Sequence, residues 1–162
     1  MGRFIGRVAI SFLICMALSG VSVRAQEVTK DKVGRVDRSY NEPLPVFKGL
    51  ERAWGQGDAE KISRLLGGNK ILLDMKGIGR KGGYFSRSQA RFLFKRMFKT
   101  AAPKKFKFTK YHNLDKPGRR VYGVARRSYK NVRSGRLFQD TVYVTLCREG
   151  RGWVVSEIKT TR

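Results

Sequence analysis

No acidic residue occurs between Met75 and Asn113. Extended to Gln139, the same window holds one, Asp115, against twenty lysines and arginines. An ordinary solvated surface mixes both signs. A single-sign block of this length excludes cationic partners and favours polyanions. Histidine is almost missing as well. His112 is the only one, which excludes a metal site built on a histidine pair. A serine triad would depend on that same residue, and nothing resembles a nucleophile elbow. No metal and no cofactor are therefore expected, and His112 reads as a strand-end surface residue. Cysteine is limited to Cys15 and Cys147. Long apolar runs are scarce too. The best, Val8 to Leu18, is shorter than the roughly 20 residues a spanning helix needs.

What is present at the N-terminus reads as a secretory leader over 1–25. Arg3 and Arg7 precede the apolar run, and Val23-Arg24-Ala25 fits the small-residue cleavage rule. Cleavage would leave Gln26 as the new N-terminus. A lipoprotein is not indicated, because Ile14 rather than a small residue precedes Cys15. The expected location is the periplasm or the medium, with no transmembrane span after cleavage. Cys147 then has no intramolecular partner, so the core rather than a disulfide must hold the fold. It reads as a packed thiol, with a dimer disulfide as the alternative.

The charge is concentrated rather than spread. Gln26 to Asp74 carries nine basic and eight acidic residues, and Asp140 to Arg162 carries four and three. Nearly all of the net charge of +24 thus belongs to the middle of the chain.

Residues 26–42 are polar and without period, a flexible lead-in to a single domain over 43–162. Pro43 and Pro45 suit the first turn of a helix, and Val46, Phe47, Leu50, Ala53 and Trp54 recur at helical spacing. Asp58 is a natural N-cap for a second short helix carrying Ile62, Leu65 and Leu66. Ile71, Leu73 and Met75 alternate with polar neighbours as a first strand. A glycine-rich loop is expected from Gly77 to Gly83. Ser86 and Gln89 form a capping box for a third helix with Ala90, Leu93, Phe94, Met97 and Phe98 on one face. Four antiparallel strands follow, around Phe106 and Phe108, through Arg119 to Lys130, through Phe138 to Leu146, and from Trp153 to Lys159. This order predicts an α+β cone, a long curved antiparallel sheet wrapped around three helices of the N-terminal half.

Ala53-Trp54-Gly55-Gln56-Gly57-Asp58, with Ile62 and Leu65-Leu66, resembles the first helical pair of the nuclear-transport-factor-2-like superfamily. Tyr84, Ser86, Gln89-Ala90, Leu93 and Phe98, with Gly152-Trp153 before the last strand, are similar to a small family of exported bacterial cone-fold domains of unknown function. The resemblance covers about residues 43 to 160. It implies a cone with a pocket at its wide end and homodimers through the outer sheet face. It implies no activity, because the superfamily mixes enzymes with binding modules.

Gly77-Ile78-Gly79-Arg80-Lys81-Gly82 matches G-x-G-x-x-G, but the helix starts too late and no ribose-binding acid follows. The remaining readings are a plain loop, or an anion-binding concavity flanked by Lys76, Arg80 and Lys81. An isomerase of the ketosteroid type would need a carboxylate base inside the cone. Asp74 takes the outward phase. Asp140 and Glu157 share phase with apolar residues but lie towards strand ends. Arg91, Lys95 and Lys99 make a basic ridge on the third helix. Lys105 and Lys107 oppose Phe106 and Phe108, and Arg119, Arg120, Arg126 and Arg127 lie on the next strand. The anion-binding candidates are thus Lys76, Arg80, Lys81, Arg91, Lys95, Lys105, Lys107, Arg119, Arg120, Arg126 and Arg127, with no catalytic residue among them. The expected function is non-enzymatic binding of an anionic envelope component, a lipid headgroup or a glycan. The alternative is small-molecule binding or isomerase-like catalysis in the cone. Nucleic acid is expected to bind only non-specifically.

Overall fold

The computed structural model describes residues 41–161 apart from 77 and 116, with the backbone alone at 79–81. The leader expected over 1–25 and nearly all of the expected lead-in over 26–42 lie outside the described residues.

Helix α1 spans Pro43–Gly55 and buries Pro43, Val46, Phe47, Leu50, Ala53 and Trp54 on one stripe. Glu42 occupies its N-cap without a side-chain bond, and prolines fill the first turn, where a missing N–H costs nothing. Gly57 ends the helix at φ +66, a left-handed geometry that glycine adopts without strain. Helix α2, Ala59–Leu65, follows at once because Asp58 accepts a hydrogen bond from the Lys61 N–H at 2.9 Å. Strand β1 is Ile71–Met75, with Ile71, Leu73 and Met75 inward as the alternation requires.

The first departure comes next. The segment expected as a glycine loop is strand β2, Ile78–Phe85, paired antiparallel with β1. Glycines erase the side-chain alternation by which a strand is recognised, and the pairing is irregular where they cluster. Gly82 is needed there: its φ is +64, and a Cβ would stand 2.8 Å from that of Asp74.

Helix α3, Arg87–Thr100, opens on the full capping box. Ser86 Oγ accepts from the Gln89 N–H at 3.3 Å, and the Ser86 N–H donates to Gln89 Oε1 at 2.9 Å. Strands β3 (Ala101–His112), β4 (Arg120–Asn131), β5 (Leu137–Glu149) and β6 (Gly152–Thr160) complete the domain.

The six strands form one sheet in the order β2-β1-β6-β5-β4-β3. All neighbours are antiparallel except β1 and β6, which run parallel, so the sheet is mixed. The α+β architecture is the expected one. The helices cover the inner face of the sheet, and the core lies between them. Trp54 stacks on Phe106 at 4.4 Å and meets Phe94 edge-on at 5.4 Å. Phe47 meets Phe108 edge-on at 4.7 Å. Gly123 on β4 permits that contact, since a Cβ there would lie 2.6 Å from the Phe47 ring and 2.7 Å from that of Phe108. Among the described residues no helix is long and apolar enough to cross a membrane.

Candidate functional site

Strand phase sorts the basic residues. On β4, Val121, Gly123, Ala125 and Arg127 are buried, whereas Arg120, Tyr122 and Arg126 are exposed. The same rule on β3 turns Phe106 and Phe108 in and Lys105 and Lys107 out. Lys107 lies opposite Arg126, and Lys105 opposite Ser128. Across β4, Arg126 faces Thr141 and Ser128 faces Gln139. Lys105, Lys107, Arg126, Thr109, Ser128 and Gln139 therefore border one groove on the outer face, of about 310 Å³. Among these residues none is a carboxylate. Arg127 also borders the groove, but its guanidinium turns the other way, into the core.

Arg127 corrects the candidate set. It is 2% exposed, and its Nε and Nη2 donate to the two Asp140 carboxylate oxygens at 2.8 and 2.5 Å. Nη1 points at Met97 Sδ, 3.4 Å away, and the guanidinium lies over the Trp54 and Tyr129 rings. With two adjacent arginines on one strand, a period of two must send one of them inward. This one is a structural cation with no reach to an outside ligand. Asp140, held by both oxygens, is likewise occupied.

The other candidates are dispersed. Arg120 shares the outer phase of Arg126 but stands six residues along the strand, roughly 20 Å away at 3.3 Å per residue. Arg119 is exposed just before β4. Arg91 and Lys95 lie on α3, on the helical side of the domain. Arg91 Nη1 pairs with Glu60 at 2.7 Å, and the groove beside both, of about 380 Å³, also contains Asp58 and Glu60. That groove is mixed in sign, unlike the one on the sheet. Lys76 is exposed at the end of β1, but its N–H donates to Thr160 Oγ1 at 3.1 Å. The side chains of Arg80 and Lys81 lie outside the described set. The segment is an edge strand rather than a loop, paired with β1 at Ile78 and from Gly83 to Phe85. His112 is exposed at the end of β3, opposite Tyr122.

Two further carboxylates have structural roles. Glu51 on α1 accepts the Phe108 N–H at 2.9 Å and pairs with Lys48 at 3.3 Å. Donating this hydrogen bond to Glu51 holds the Lys48 ammonium above its ordinary range. Glu157 was expected in the apolar phase of β6 and lies on the other face. Register slips by one where Thr145 and Leu146 pair with Glu157 and Val155, so Ser156 is an extra residue. Glu157 accepts from Thr145 Oγ1 at 3.3 Å and binds Lys159, whose pKa it raises.

No family model matches the sequence, and no curated protein matches it. Solved structures do match. A DUF4783 family protein from Bacteroides uniformis superposes with a TM-score of 0.58 at 14% identity, covering 71% of this chain and 94% of that one. The domain has the nuclear-transport-factor-2-like fold. A nuclear-transport-factor-2-like protein of unknown function from Shewanella oneidensis gives 0.54 at 18% identity, over 74% and 95% of the two chains. A ketosteroid-isomerase-like protein from Catenulispora acidiphila, solved with trimethylamine, gives 0.56 at 13% identity, over 72% and 84%. At these identities the likeness is one of fold.

Sequence reasoning missed Ser128, Gln139 and the exposed Tyr122 and Tyr143 as members of the outer face. The signal was available in part. Alternation from Val121 and Ala125 already puts Tyr122 and Arg126 on the opposite side.

Proposed function

We propose that this is an exported, non-enzymatic domain that binds an anionic component of the cell envelope through the outer face of its sheet. The observation that carries the reading is the carboxylate-free groove of Lys105, Lys107 and Arg126, whose three cationic side chains are exposed among the described residues. Export rests on the composition of 1–25. The non-enzymatic reading is supported by the inner face, where Trp54, Phe47, Phe94, Phe106 and Phe108 pack ring against ring and Asp140 is tied to Arg127. A general base needs a carboxylate that can reach a substrate proton, and this one is already committed.

Each basic residue brought to an anionic surface contributes about 1 kcal/mol, and salt screens the attraction. The test is binding of purified protein to anionic and neutral vesicles, and to immobilised acidic and neutral glycans, across a salt series. Binding to anionic supports alone, lost as salt rises and abolished by the triple change Lys105→Glu, Lys107→Glu and Arg126→Glu, is the expected result. Wild-type protein that ignores every anionic support at low salt would overturn the reading.

A further inference from the structure

Tyr122 and Tyr143 are 40% and 44% exposed. They stand on neighbouring strands of the outer face. Tyr122 lies opposite Thr145, and Tyr143 lies opposite Val124, so the two tyrosines are diagonal neighbours roughly 7–8 Å apart. Their strand neighbours Val121, Gly123, Val142 and Val144 are buried, which anchors the backbone beneath both rings. Four residues along β4 from Tyr122, roughly 13 Å at 3.3 Å per residue, comes Arg126, opposite Lys107. The outer face thus carries two exposed aromatic rings on strands that also border the basic groove.

We infer that this face takes an acidic polysaccharide, its sugar rings lying on Tyr122 and Tyr143 and its carboxylate or sulfate groups on Lys105, Lys107 and Arg126. The inference rests on the basic-face reading above and adds the ligand class. A tyrosine ring offers an apolar surface to the C–H face of a pyranose while its hydroxyl hydrogen-bonds at the rim. Charge alone would serve a bilayer, but a planar membrane cannot enter a groove, whereas a chain of sugars can lie along one. Charge complementarity sets the direction. The basic groove lies at the β3–β4 end, while towards β6 the face carries Glu157, already paired with Lys159. Single-stranded nucleic acid also stacks on aromatic rings, but the leader over 1–25 points away from the cytoplasm.

The test measures binding of the purified protein to polygalacturonate, with polyacrylate as a sugar-free polyanion, a single-stranded oligonucleotide, and phosphatidylglycerol vesicles as comparators. Tyr122→Ala and Tyr143→Ala should each weaken polygalacturonate binding by about two- to tenfold, the worth of one aromatic contact. They should leave the salt dependence and polyacrylate binding unchanged. Tyr143→Trp, with a larger ring, should bind at least as tightly, which separates loss of the ring from loss of the fold. Tyrosine variants that bind polygalacturonate like wild type would overturn the inference and leave the basic-face reading standing. So would equal losses on polyacrylate, greater losses on the oligonucleotide, or wild-type binding to vesicles but not to polygalacturonate. Sedimentation as a dimer that buries both tyrosines would overturn it too. Failure of the wild type on every polyanion would remove both readings.

Discussion

Replacing Asp140 by alanine leaves the Arg127 guanidinium charged at a position that is 2% exposed, beside Trp54, Tyr129 and Met97. Both hydrogen bonds to the carboxylate disappear, and water cannot replace them without opening the core. Removing one partner of such a buried pair costs about 3–5 kcal/mol. Native domains are stable by only about 5–15 kcal/mol, so the change takes a large fraction of the total. With a urea slope of roughly 2 kcal/mol/M, the unfolding midpoint should fall by about 2 M. Tryptophan fluorescence is a suitable probe, because Trp54 lies directly under the guanidinium. The pair itself need not be stabilising. Desolvating two charges offsets most of their attraction, so the double change Arg127→Met and Asp140→Leu should recover nearly all of the lost stability. The decisive comparison is the single change with the double one. A loss below about 1 kcal/mol in Asp140→Ala, the value of an exposed pair, would refute the reasoning, because Arg127 would then reach solvent and belong to the outer basic face after all.

Further expectations follow from the same geometry. Gly123→Ala should cost about 1–3 kcal/mol through overpacking against Phe47 and Phe108, read by chemical denaturation, and an unchanged midpoint would mean the two rings can move apart. Asp58→Ala should cost about 1 kcal/mol as a lost helix cap. The Lys61 N–H lowers the Asp58 pKa, so the cap's contribution is present above the ordinary carboxyl value and is lost as pH falls through the lower folded one. The stability gap between wild type and Asp58→Ala should therefore close in acid. Burial raises the Cys147 thiol, so its alkylation near neutral pH should be slower than that of a free cysteine and should accelerate in urea.

Legibility varied with how local the cause was. The stripe of α1, the Asp58 cap and the Ser86–Gln89 capping box are interactions within a few residues, and each reads directly from spacing. The inward phase of β1 does too, because Ile71, Leu73 and Met75 are large enough to mark it. Strand β2 was hidden because its glycines carry no side chains to alternate, and its pairing is decided by β1. Glu157 was assigned to the wrong face because one inserted residue at Ser156 reverses parity, and a bulge has no composition of its own. Arg127 was the avoidable miss. The parity of Val121 and Ala125 already turned it inward, but the acid that compensates it, thirteen residues away on β5, became visible only in the folded sheet.

By itself the sequence determined the local elements other than β2, their order, and a cationic block whose sign no packing could change. Only the tertiary structure decided which of those cations share a face. Helix periodicity and caps act over one or two turns of chain, so a short window of sequence contains them whole. The grouping of Lys105, Lys107 and Arg126, the inward turn of Arg127 and the neighbouring of Tyr122 and Tyr143 depend on strand register and bulges. Those are set by pairing partners far apart in sequence, through hydrogen bonds and packing that no short window contains.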